Sequence, residues 1–155
     1  MTEEEASKYE PITWLLVFSP KSAIWWVDRL VPGQFKHVMA CAYAVEAKAW
    51  VAYEVTLVRT QILVMPDPAW DRFIAARINS GASVLRIERR DGCWWTGRLG
   101  SWCVPAVKRL IGLRSGALRP DRLFADCLRA GAAIVHGKSA RIQAVGAGSR
   151  CAEGG

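Results

Sequence analysis

The chain has no long hydrophobic run and no metal-binding cysteine pattern, and we expect no secretory leader. Its longest apolar stretches, residues 14–18 and 23–27, are far too short to span a bilayer, so we expect no transmembrane segment. The first residues, Met-Thr-Glu-Glu-Glu, are acidic where a leader would be basic. We therefore expect synthesis in the cytoplasm, with carriage inside a virion as an alternative destination.

Cysteine and histidine are sparse enough to limit the possible chemistry. The five cysteines include no CxxC pair and no zinc spacing, so in a reducing compartment they should be free thiols, and we expect no metal or other cofactor. Only two histidines occur, His37 and His136. A Cys–His pair can therefore form in few ways.

Tryptophan and positive charge are the features in surplus. Eight tryptophans exceed what one small core needs, so Trp25–Trp26 or Trp94–Trp95 could line a groove or an assembly contact. The net charge is +7, with arginine-rich stretches at residues 86–90 and 114–129. A basic face could meet an acidic polymer or protein partner. No basic run has the spacing of a nucleic-acid motif, so we do not expect nucleic acid as a partner.

The chain is long enough for one domain with a sizeable core. We expect a loose lead-in at 1–9, a single catalytic-type domain at 10–136 and a flexible tail at 137–155, because the tail is rich in Gly, Ala and Ser.

Alternating or continuous apolar patterns predict strands, and helical spacing predicts helices. The predicted strands are 12–18, 35–43, 50–57, 60–65 and 83–89; the predicted helices are 68–79, 102–113 and one from 119 to Gly131, with a short amphipathic piece at 21–30.

Strands largely precede helices in this order. That order favours an α+β protein over a doubly wound sheet. We predict an antiparallel sheet of about five strands, packed by a cysteine-bearing helix and neighbouring helices.

Cys103 and His37 are the candidates for covalent chemistry. Cys103 lies at the start of a predicted helix, where backbone N–H groups and the helix dipole favour the nucleophilic thiolate. His37 follows a Pro-Gly turn on a predicted strand and can point out of the sheet as a base. Taken singly, each fits a structural role as well. Glu54, on the next strand, is the candidate to orient the imidazole, with Glu46 and Tyr53 as alternatives.

Two short segments resemble a known family. The segment Phe35-Lys36-His37-Val38 resembles the Phe-Ser-His-Val strand of the permuted branch of NlpC-type, papain-like cysteine hydrolases, although Lys36 replaces the serine. The segment at 102–112, WCVPAVKRLIG, resembles the cysteine-bearing helix of that branch. In the permuted branch, which includes the lecithin retinol acyltransferase-like enzymes, the histidine strand precedes the cysteine helix, as it does here. The tract 103–128 also resembles phage and prophage proteins of this kind.

The resemblance implies a permuted papain-like fold and a cysteine hydrolase, an amidase or peptidase acting on a cell-wall peptide or an acyl ester. Cys103 would attack the carbonyl, His37 would transfer the proton, and Glu54 would orient His37. The backbone N–H of Cys103 would hold the oxyanion. The alternative is a non-catalytic phage or assembly protein that keeps the fold.

Overall fold

The computed structural model describes residues 11–22, 24–90 and 102–137. The predicted lead-in, Trp94–Trp95 and all of the predicted tail except Gly137 lie outside these residues. The elements, in chain order, are β1 (Thr13–Ser19), α1 (Trp25–Leu30), β2 (His37–Ala44), β3 (Ala49–Val55), β4 (Thr60–Met65), α2 (Asp67–Asn79), β5 (Ser83–Glu88), α3 (Cys103–Leu110), α4 (Pro120–Arg129) and β6 (Ala133–His136).

The strands form one open antiparallel sheet in the order β4-β3-β2-β1-β5-β6. The predicted α+β class and antiparallel sheet are therefore confirmed, but the described residues form six strands instead of about five. The additional strand is β6, which pairs with β5 at one edge. Its four residues are all exposed, so they lack the apolar alternation by which a half-buried strand is predicted.

Helices α3 and α4 cover one face of the sheet. On β2 the small residues Ala40 and Ala42 contribute to the same buried cluster as Val104 and Val107 of α3, which lets the helix approach the strand closely. Helix α4 is attached by three aromatic rings: Phe124 lies 5.0 Å from Phe18 of β1 and 4.9 Å from Phe35, centroid to centroid. This cluster fixes the segment that leads into β2.

Helix α2 covers the opposite face. Trp70 of α2 stacks on Trp50 of β3 with ring centroids 4.2 Å apart, and the Trp50 indole N–H donates to Asp67 at 3.1 Å. Val17, Met39 and Ala52 are buried beneath this helix. None of the helices within the described ranges is long and apolar enough to cross a membrane.

The end of α3 has a clear local cause. Gly112 adopts φ +65°, a conformation that favours glycine. The Gly112 N–H donates to the carbonyl of Arg109, and the Leu113 N–H donates to that of Lys108, which is the Schellman arrangement. The helix therefore ends at Leu110, three residues before the predicted boundary, and its first residue is Cys103.

Candidate active site

The structure brings the three predicted site residues together where β2 begins. His37 is the first residue of β2 and Cys103 is the first residue of α3, and they are 7% and 8% exposed. Glu54 lies near the end of β3, with its carboxylate Oε1 2.9 Å from His37 Nε2. The angle at Nε2 departs from that of a hydrogen bond, so this contact is foremost an ion pair.

The register of the sheet explains how His37 and Glu54 meet. Cys41 of β2 is directly opposite Ala52 of β3. Because side chains alternate along a strand, His37 shares a face with Cys41, and Glu54 shares that face with Ala52. Arg77 of α2 packs on this same face, with its guanidinium 3.8 Å from Glu54 Oε1.

Cys103 reaches the imidazole from the other layer. Helix α3 packs on the opposite face of the sheet, in the cluster that contains Val38 and Ala40. Its first residue lies beside the start of β2, close enough for Cys103 to raise the pKa of the His37 imidazole.

The electrostatics favour a charged imidazole. Burial alone would lower the pKa of His37, but the neighbouring Cys103 and Glu54 outweigh the burial and raise the pKa to about 9. The contact with His37 lowers the pKa of Glu54 against the opposing effect of burial. At neutral pH the site therefore holds an imidazolium beside the Glu54 carboxylate.

Two further contacts hold the segment that precedes His37. The Asp121 carboxylate, in the first turn of α4, accepts the backbone N–H of Gln34 at 2.8 Å and of Phe35 at 3.2 Å. Gly33 has φ +117°, and a Cβ there would lie 2.0 Å from Asp121 Oδ2. Asp121 thus fixes a loop two residues from the imidazole.

The start of α3 presents free backbone donors beside the thiol. Its N-cap residue, Trp102, makes no side-chain capping bond, and the first intrahelical bond runs from the Ala106 N–H to the Trp102 carbonyl. Pro105 has no N–H. The N–H groups of Cys103 and Val104 have no hydrogen-bond partner among the described residues. Such groups at a helix N-terminus stabilise an anion.

An apolar cavity of about 420 Å³ opens onto His37 and Cys103. Trp26, Leu30 and Leu57 line it and are also exposed, so they form its mouth. Most of the described residues that line it are apolar, and none of them carries a carboxylate: Ser22, Ile24, Trp26, Val27, Leu30, Val31, Pro32, Lys36, His37, Val55, Thr56, Leu57, Trp102, Cys103, Leu118, Arg119 and Pro120. Two tryptophans, Trp26 and Trp102, are among these lining residues.

The remaining candidates lie apart from this site. Glu46 is exposed in the turn after β2, and Tyr53 alternates onto the opposite face of β3 from Glu54. Cys41 and Cys127 are fully buried, and burial raises the pKa of Cys127 to about 12 and that of Cys41 still further above the ordinary range. Cys93 and Cys151 lie outside the described residues, in which no cluster of three or more His, Cys, Asp or Glu could hold a metal ion.

Sequence reasoning missed Asp121 and Arg77. Asp121 was visible only as an acidic residue in a helix first turn, and nothing local links it to a loop 86 positions earlier. Arg77 belongs to a predicted helix whose packing face was not specified.

Comparison of the chain with models of protein families, with curated proteins and with solved structures gives no match.

Proposed function

We propose that the chain is a cysteine hydrolase of the permuted papain-like kind, in which Cys103 is the nucleophile and His37 the general acid and base. The observation that supports this proposal is the meeting of Cys103, His37 and Glu54, the first two of which line an apolar cavity. A nucleophile, a base and a residue that orients the base are the minimum for this chemistry.

The mechanism follows from the charges of the three groups. The imidazolium of His37 pairs with the Cys103 thiolate, which attacks a carbonyl carbon and forms a tetrahedral oxyanion. The N–H groups of Cys103 and Val104 stabilise that oxyanion. The imidazolium then protonates the leaving group, which departs and leaves a thioester on Cys103. Neutral His37 takes a proton from water, and the resulting hydroxide cleaves the thioester and regenerates the thiolate pair.

The cavity favours an acyl ester over a cell-wall peptide as the substrate. A cell-wall peptide carries polar amides and carboxylates that need hydrogen-bonding partners, whereas the lining offers few polar side chains. An aliphatic acyl chain needs only apolar contact, and each buried methylene gains about 0.8 kcal/mol. Lys36 is already engaged, since its ammonium donates to the carbonyls of Val31 and Gly33.

A series of p-nitrophenyl esters of increasing chain length tests this proposal. We expect kcat/KM to rise by roughly threefold or more per added methylene until the cavity is full. The Cys103→Ala and His37→Ala variants should be inactive, and mass spectrometry should detect the acyl group on Cys103.

The control is Cys127→Ala, which removes another buried thiol without touching the site. Equal activity of Cys103→Ala and the wild type would refute the proposal. Activity that depends on Cys103 but falls with chain length, while cell-wall peptides are cleaved, would reassign the substrate to peptides.

A non-catalytic assembly protein is the second candidate, and the surface of β4 favours it. This strand is one edge of the sheet, and its Ile62 and Val64 are 64% and 66% exposed. An exposed apolar edge strand is a template for pairing with another chain. Complete inactivity on every ester and peptide, together with self-association that Val64→Lys abolishes, would support this candidate instead.

A further inference from the structure

A second cavity, of about 550 Å³, lies at the opposite end of α3 from Cys103. None of the described residues that line it also lines the apolar cavity. Ten described residues line it, and four of them are arginines: Arg90, Gly112, Leu113, Arg114, Ser115, Gly116, Arg122, Asp126, Arg129 and Ala130. The mechanism proposed for Cys103 makes no use of this cavity.

The charges around this cavity are strongly unbalanced. Among the described residues of the lining, Asp126 is the only carboxylate, and it pairs with two of the guanidiniums, those of Arg122 at 3.3 Å and of Arg129. These described residues therefore carry three positive charges in excess. An excess of that size in one concave site attracts an anion and raises its local concentration.

The positive groups are also held in place before any ligand binds. Asp126 fixes the guanidiniums of Arg122 and Arg129, and the Arg90 guanidinium donates to the carbonyl of Ala130. Each guanidinium has five N–H donors, so these bonds leave donors free for a ligand. The fourth arginine of the lining is Arg114, and its side chain has no partner among the described residues.

The loop that carries Arg114 is itself fixed from behind. The buried ammonium of Lys108 donates to the carbonyls of Ser115 and Ala117, at 2.8 Å each. The Ser115 hydroxyl donates to Asp126 and accepts the Ala117 N–H at 2.9 Å. A preformed loop loses little entropy on binding, which is the usual property of a ligand site.

The geometry points to a binding site for a diphosphate group in this cavity. Guanidiniums bind phosphate oxygens with paired, parallel hydrogen bonds. A diphosphate carries two to three negative charges near neutral pH, which matches the excess of the lining. The concave shape suits a small ligand, whereas a polynucleotide would need an extended basic track.

Titration calorimetry of the full-length chain with inorganic pyrophosphate tests the inference. We expect saturable binding of one pyrophosphate per chain, weakened roughly tenfold by Arg114→Gln, because that change removes a charge-assisted contact without touching the Asp126 pairs. Arg122→Gln, which leaves Arg129 paired with Asp126, should weaken binding similarly. Adenosine diphosphate is a second probe, and its tighter binding would identify a nucleotide as the carrier.

The matched control is Arg86→Gln, which removes the same charge from an exposed residue of β5 that lines a different cavity. It should leave pyrophosphate affinity unchanged. The absence of saturable binding would overturn the inference, as would equal weakening by Arg86→Gln and Arg114→Gln. Tight binding of a single-stranded oligonucleotide, weakened equally by both changes, would also overturn it, because it would show a general polyanion surface.

Discussion

Replacing Glu54 with glutamine should lower the pKa of His37 and leave the fold intact. Glutamine keeps the shape of the side chain but removes the negative charge 2.9 Å from the imidazole. The change therefore isolates the electrostatic contribution of one contact.

The magnitude follows from the raised pKa of His37. Its rise from 6.5 to about 9 corresponds to about 3 kcal/mol in favour of the imidazolium, net of the burial that opposes it. Two neighbours, Cys103 and Glu54, share that effect. An adjacent opposite charge typically shifts a pKa by about 1–3 units, so we expect Glu54→Gln to bring His37 to about 7 or 8.

Nuclear magnetic resonance titration of the histidine ring protons measures this directly. The chain has two histidines, so a His136→Gln variant assigns both signals. Glu46→Gln is the matched control, because it neutralises an exposed carboxylate in the turn after β2 and should leave the His37 titration unchanged. The reasoning would be refuted if wild-type His37 titrates at or below 6.5, or if Glu54→Gln does not move it.

Two further predictions concern stability. Since the folded-state pKa of His37, about 9, lies above its unfolded value of 6.5, its contribution to folding is full below pH 6.5 and is lost as pH rises through 9. The free energy of unfolding, measured with denaturant, should be lower at pH 9.5 than at pH 6.5 by up to about 3 kcal/mol. The His37→Gln variant should show a smaller difference between the two pH values. The same difference in the variant and the wild type would contradict the assignment of this effect to His37. Asp121→Ala should cost about 1–3 kcal/mol and lower ester turnover, because it leaves two backbone N–H groups unpaired before His37. Asp71→Ala, in the exposed part of α2, is the control, and equal effects of the two changes would exclude a positioning role for Asp121.

Local sequence patterns were sufficient where a local cause sets the boundary. Strand β4 was predicted to the residue, because Thr60–Met65 is followed directly by Pro66, which ends the strand. Strand β3 was predicted to start one residue late and to end two residues late, and the late end arises because Thr56 closes a turn by bonding with Arg59. Strand β2 was predicted to begin at Phe35 but begins at His37, because Asp121 takes the N–H groups of Gln34 and Phe35. No local pattern reveals a contact with a residue so distant in the chain.

The proximity of the candidate pair could be anticipated, but its surroundings could not. A helix-start cysteine and a strand histidine were visible as residue types in particular local settings. The residue that faces His37 is Glu54 and not Tyr53 or Glu46. This choice depends on the register between β3 and β2, which sets the face of the sheet on which each side chain of β3 lies. The apolar mouth depends on residues from α1, the turn after β3 and the start of α4, which only tertiary structure brings together.

The most direct test of the central claim is the site-resolved rate of alkylation by iodoacetamide near neutral pH. Peptide mapping compares Cys103 with Cys41 and Cys127, which are buried in the two cores. The proposed thiolate–imidazolium pair predicts that Cys103 reacts much faster than the other two and that His37→Ala slows it sharply. A Cys103 that reacts no faster than Cys41 or Cys127 would contradict the account.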